Sequence, residues 1–149
     1  MEGAMKVESC MTKNVAMISR CESAAVAARL MSRRNVGMLP VRGPMGLLAG
    51  VVTDRDIALR CAAAGRDARI VAVEEIMTSR VVTARPDMEL AAAAALMARE
   101  QVRRLPVVQD GRVVGVLSLG DLARLDEYSM EAADCLEGIC AGVCRLDGD

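Results

Sequence analysis

Histidine is absent from this 149-residue chain, as are phenylalanine and tryptophan, and Tyr128 is the one aromatic residue. Without imidazole there is no Ser-His or Cys-His nucleophile system, no ordinary general base near neutral pH and no histidine metal ligand. With a single aromatic ring there is no platform on which successive single-stranded bases could stack. Charge of either sign is nearly balanced at −1, so bulk attraction to nucleic acid or to anionic membranes has no basis. No run reaches the ~18 uninterrupted apolar residues of a membrane span, and nothing at the start reads as a signal peptide. These absences predict a soluble, cytosolic protein that is not an enzyme.

What is present is a 53% share of hydrophobic residues, carried by Ala, Val, Leu and Met, in a chain long enough to bury a core without a disulfide framework. Six cysteines in a cytosolic setting read as free thiols. Met11 and Met77, with Met31 and Met97, recur at matching places, as gap-filling core residues would.

The sequence repeats. Val7-Glu8-Ser9-Cys10-Met11-Thr12 returns as Val73-Glu74-Glu75-Ile76-Met77-Thr78, and Val36-Gly37-Met38-Leu39-Pro40-Val41 as Val102-Arg103-Arg104-Leu105-Pro106-Val107, both shifted by 66. Gly50-Val51-Val52-Thr53-Asp54-Arg55-Asp56 returns as Gly115-Val116-Leu117-Ser118-Leu119-Gly120-Asp121, shifted by 65. The one-residue difference falls between Pro40 and Gly50, where a hairpin turn belongs.

Each copy reads as strand, helix, strand, strand, helix. Val15–Ser19 and Val81–Ala84 are short β-prone runs, and Ala24–Arg34 and Met88–Gln101 carry apolar residues at helical spacing. Pro86-Asp87 suits the start of the second of these helices. Leu39–Arg42 with Leu47–Val52, and Leu105–Gln109 with Val113–Leu117, read as hairpins. Asp110-Gly111 is a tight-turn signal in the second, and Gly43–Gly46 a longer loop in the first. Helices over Asp54–Ala64 and Leu119–Leu125 follow. The expected division is 7–64, a linker 65–72, 73–125, and an acidic tail 126–149.

The Met-Thr opening, the apolar-Leu-Pro strand and the Gly-Val-x-Thr/Ser-x-x-Asp step resemble a tandem CBS-domain pair of the small stand-alone bacterial type. Val52-Thr53-Asp54-Arg55-Asp56-Ile57 lies close to that family's usual form. The resemblance covers about Val7 to Leu125. It implies an α/β (α+β) fold of two βαββα units packed about a pseudo-two-fold axis. It further implies clefts between them that take AMP, ADP, ATP or S-adenosylmethionine, and assembly into a homodimer.

The Thr/Ser-x-x-Asp step has two readings. As a cap, the hydroxyl accepts a backbone N–H and the acid suits the positive helix end. As a site, the helix start attracts phosphate, the hydroxyl donates to it, and the carboxylate accepts both hydroxyls of a ribose. Carried over position by position, the resemblance makes Asp56 and Asp121 the ribose acids and Thr53 and Ser118 the phosphate-side hydroxyls. It makes Ile18-Ser19 and Thr83-Ala84 the base-edge segments, and Val51 and Val116 the apolar wall.

Arg103 and Arg104 stand where family members often carry phosphate-binding bases. Their counterparts are Gly37 and Met38, and Arg33, Arg34 and Arg55 supply charge elsewhere in the first half. Solvated arginines, or arginines paired with Glu100 or Asp54, are the plainer alternative. Cys135, Cys140 and Cys144 crowd the tail, but their spacing is no close metal knuckle.

The expectation is a regulatory module that senses an adenosyl ligand and signals to a separate effector protein. The alternatives are a ligand-free assembly module, or a metal or redox sensor built on the tail cysteines.

Overall fold

The computed structural model describes residues 5–125. They form two compact units, one of residues 16–81 and one of residues 5–15 with 82–125. The sequence repeat and the packing unit are therefore different divisions of the chain. In each unit the hairpin of one repeat is finished by the opening segment of the other.

In the first unit β1 (Ile18–Ser19) runs parallel to β2 (Met38–Arg42), and β2 pairs antiparallel with β3 (Leu48–Thr53). The outer edge of β3 is closed by Thr78, whose N–H and C=O exchange bonds of 2.8 and 2.9 Å with Val51. Helix α1 (Ala24–Arg34) is capped by Ser23, whose hydroxyl accepts from the Val26 N–H, and ends at Asn35 in the left-handed conformation. Ala24, Ala27 and Met31 form its inward stripe. Helix α2 (Asp54–Asp56) passes into a π-helical turn over Ile57–Ala62, and α3 (Val73–Ile76) carries Val73 and Ile76 into the core beside Leu39, Val41 and Val52.

The second unit repeats the plan. Helix α4 (Leu90–Glu100) lies on the hairpin of β4 (Arg104–Gln109) and β5 (Arg112–Ser118), and α5 (Leu119–Ala123) follows. Leu90, Ala93, Ala94 and Met97 pack with Leu105, Val107, Leu117 and Val7. Thr12 closes the edge of β5 at Val116 as Thr78 closes β3. Asp110 and Gly111, with φ of 55° and 78°, make the tight turn their sequence predicts.

Several element boundaries differ from expectation. Val15–Ser19 yields only the two residues of β1, and Val81–Ala84 yields a single parallel bridge from Ala84 to Val107, because only the end of each run meets the neighbouring strand. The helix expected over Met88–Gln101 starts at Leu90, since Leu90 N–H donates instead to the Met5 carbonyl and Glu89 takes the N-cap place. The helix expected over Asp54–Ala64 changes to π-type after Asp56, and that expected to reach Leu125 ends at Ala123. Among the described residues no helix is long and apolar enough to cross a membrane. The tail cysteines Cys135, Cys140 and Cys144 lie outside the described residues.

Candidate functional site

Alternation along the hairpins decides which side chains can meet. Residues directly paired across antiparallel strands share a face, and residues two apart on a strand do as well. Leu105, Val107 and Leu117 turn into the core, so Arg104, Pro106, Val116 and Ser118 share the other face. In the first unit the same face carries Met38, Pro40, Val51 and Thr53. The expected apolar wall and the expected hydroxyl thus share a surface in each unit.

At the end of that surface stands the hydroxyl–acid step. Thr53 accepts from the Asp56 N–H at 3.0 Å, and Asp56 Oδ2 accepts from the Thr53 N–H at 3.0 Å. Ser118 and Asp121 repeat the reciprocal pair at 3.1 and 2.9 Å. Each acid is buried, 7% exposed at Asp56 and 6% at Asp121. The cap is real in both copies. Yet it uses only one carboxylate oxygen of each acid, and it uses each hydroxyl as an acceptor, leaving the hydroxyl proton to donate elsewhere. Helix α5 is five residues long, so little macrodipole stands behind Ser118, and any phosphate affinity must come from side chains.

The second carboxylate oxygens are engaged differently. Asp56 Oδ1 faces Thr78 Oγ1 at 3.4 Å and Arg60 Nη1 at 3.6 Å. Arg60 is tied down, donating to the carbonyls of Ile76 at 3.0 Å and Met77 at 3.1 Å. Asp121 Oδ1 accepts from Arg124 Nη1 at 3.0 Å. The Arg124 side chain is 76% exposed. The sequence reading missed Thr78, Arg60 and Arg124. Thr78 was visible as part of the repeated Met-Thr. The two arginines sit at unequal spacings, four and three residues after their acids, so aligning the copies hides them. Asp–Arg spacing of three or four on a helix was the available signal.

Cations distinguish the units further. Arg103 and Arg104 are exposed and make no ion pair among the described residues; of the plainer alternative, pairing with Glu100 or Asp54 is absent there, and solvated arginines are what the structure contains. The Arg103 carbonyl accepts from the Leu119 N–H at 2.9 Å, which sets both arginines beside the start of α5. In the first unit Gly37 takes that place, and its carbonyl accepts from the Asp54 N–H at 3.0 Å. A Cβ at Gly37 would lie 3.0 Å from Asp54 Oδ2, so the hydroxyl end there meets a carboxylate and Met38 rather than two arginines. Arg55 is exposed in the first turn of α2.

The expected base-edge residues lie along β2 and β4, on the edges away from β3 and β5. Ile18 is core, and Ser19 Oγ accepts from the Cys21 N–H at 3.3 Å. Both backbone groups of Ala84 are spent in the sheet, on Pro106 and Val108, so a base edge would be read at the half-buried Thr83.

A groove of about 310 Å³ lined by Glu8, Arg85, Pro86, Asp87, Val108, Gln109 and Asp110 lies at the turn end of the second hairpin. The length of β5 separates it from Ser118, about 20 Å. It holds none of the expected site residues.

The model of the CBS domain matches residues 7–62 and 73–128. The CBS domain-containing protein YhcV of Bacillus subtilis is 45% identical over 127 residues, 85% of this chain and 89% of that protein. A putative signal-transduction protein with CBS domains from Burkholderia ambifaria is 28% identical, with a TM-score of 0.72 over 80% of this chain and 92% of its own. The CBS domain pair of protein MJ0100, solved in complex with 5′-methylthioadenosine and S-adenosyl-L-methionine, is 29% identical, with a TM-score of 0.73 over 85% of this chain and 99% of its own. Two matches of the domain model over one mixed α+β fold, with likeness to other CBS-domain proteins over 80–85% of the chain, place this chain in the CBS-domain family as a tandem pair.

Proposed function

We propose that this chain is a regulatory module that binds an adenosyl ligand at the Ser118–Asp121 step and reports it to a separate effector protein. The observation that carries the reading is the duplicated hydroxyl–acid step with Arg103 and Arg104, unpaired among the described residues, beside only one copy. Asp121 accepts the ribose hydroxyls, Ser118 donates to the first phosphate, and the two arginines take the remaining phosphate charge. Val116, with Pro106 on the same face, offers apolar surface to the purine. AMP, ADP and ATP suit this end better than S-adenosylmethionine, whose sulfonium the arginines repel. The MJ0100 pair, solved with 5′-methylthioadenosine and S-adenosyl-L-methionine, supports the general ligand class for this fold.

The Thr53–Asp56 step has the same frame with Asp54 and Met38 at its mouth, and it is the weaker site for a phosphorylated ligand. The ligand regulates only if it binds one arrangement of the protein better than another. A homodimer is the assembly we expect to carry that change.

Calorimetry with AMP, ADP, ATP and S-adenosylmethionine tests the assignment. Asp121→Asn keeps an oxygen for the Ser118 N–H but removes the charge that the ribose hydroxyls need, so it should weaken nucleotide binding at least tenfold. Asp56→Asn should leave the tight site unchanged. If no adenosyl compound binds wild type, the function is wrong and the assembly-module alternative gains. If Asp56→Asn removes the tight site instead, the wrong copy was chosen.

A further inference from the structure

In the Ser118 unit the acid proposed to receive ribose is already held by the arginine that caps the end of its helix. Arg124 Nη1 lies 3.0 Å from Asp121 Oδ1, the one carboxylate oxygen that the cap leaves free. The acid's side chain is 5% exposed and the arginine's 76%, so the pair has a buried partner and an exposed one. An exposed long side chain loses little by leaving such a pair. Arg60, the partner of Asp56, cannot leave without abandoning the carbonyls of Ile76 and Met77 as well. Arg124 makes no second bond among the described residues.

We infer that Arg124 is a displaceable gate on the Asp121 site and the residue that couples ribose recognition to ligand charge. This rests on the proposed function and deepens it. A ribose that takes Asp121 Oδ1 must release the guanidinium. Arg124 is the C-cap residue of α5, and its bond to Asp121 carries the guanidinium back toward the helix start, where Ser118, Arg103 and Arg104 stand. A ligand that brings an anionic group gives the released guanidinium a new partner. A neutral adenosine leaves it with none and bears the whole cost of breaking the pair. Discrimination between AMP and adenosine therefore arises partly inside the protein, from what Arg124 must give up. The Thr53 unit, with its arginine anchored, lacks this device.

The test is binding of adenosine and of AMP to the full-length wild type, Arg124→Ala, Arg124→Lys and the double variant Arg103→Ala/Arg104→Ala. Arg124→Ala should bind adenosine about twofold to fivefold more tightly, because no pair has to break. It should bind AMP more weakly, so that the preference for AMP over adenosine falls about tenfold. Arg124→Lys should keep most of that preference. The double variant should lose affinity for AMP with no gain for adenosine, which separates a gate from a plain phosphate contact. An unchanged AMP-to-adenosine ratio in Arg124→Ala, or a ratio that falls with no gain in adenosine affinity, overturns the gate. Absence of any binding to wild type overturns the proposed function itself, whereas wild-type binding lost in Asp121→Asn with Arg124→Ala unchanged overturns the gate alone.

Discussion

Glycine sits at the same place in both hairpins because another segment crosses there. At Gly50 a Cβ would stand 2.5 Å from the Thr78 carbonyl oxygen and 3.1 Å from Met77 Sδ. At Gly115 it would stand 2.5 Å from Met11 Sδ and 2.9 Å from the Thr12 carbonyl oxygen. Both positions let the Met-Thr segment of the other repeat lie flat on the strand. The shorter contact is with backbone at Gly50 and with a flexible thioether at Gly115. Gly50→Ala should therefore cost about 2 kcal/mol or more, and Gly115→Ala less. Urea midpoints of the two variants check the order. Equal and small losses would mean that the edge segment gives way freely. The repeated Gly-Val step was legible in the sequence, but its cause was not, since the atoms that demand glycine come from 27 to 28 residues later in one copy and from the start of the chain in the other.

At the scale of elements, local pattern predicted what local forces decide. Ala24–Arg34 was read correctly to the residue because Ser23 and Asn35 cap it within the sequence itself. The first strands were overextended because strand length depends on the neighbour, and β2 meets only Ile18 and Ser19. The candidate site divided in the same way. The hydroxyls and acids were legible as a motif, and their cap geometry followed. The arginines that hold the acids depend on where one long side chain lands, and the repeat concealed them. Helix α3 shows a further device that sequence alone did not suggest. Glu75 accepts from Arg66 Nη2 and, at 2.9 Å, from the Ala72 N–H. The Arg66 bond, and after it the backbone N–H, hold the Glu75 carboxyl below its ordinary value. A group whose folded pKa is depressed contributes stability above its unfolded value and loses it as pH falls through the folded one. The acid-side loss should therefore be smaller in Glu75→Gln than in wild type when urea midpoints at about pH 6 and about pH 3.5 are compared. Both partners are exposed, so raising the salt concentration should shrink the difference. An identical acid-side loss in both proteins would remove the pair from the account.

For the whole molecule, the exchange of opening segments makes the repeat a poor guide to what folds together. A cut after residue 72 would keep the first repeat whole. It would also remove Val73 and Ile76, which are 0% and 1% exposed in the core around Leu39, Val41 and Val52. It would leave the β3 edge without Thr78 and Arg60 without its two carbonyls. Each large core side chain lost this way costs roughly 2–5 kcal/mol, enough to consume the stability of a small unit. A fragment of residues 16–81 keeps all of these contacts, which lie within one unit, and leaves out the opening segment that belongs to the other hairpin. The fragment cut at the packing boundary should therefore show helical circular dichroism and a cooperative thermal transition. The fragment of residues 7–72 should show neither, or should do so only by self-association that supplies the missing edge. Melting curves over a range of protein concentrations distinguish these cases. A cooperative, concentration-independent transition in the 7–72 fragment would show that each repeat folds on its own, and that the exchange adds to a structure already formed.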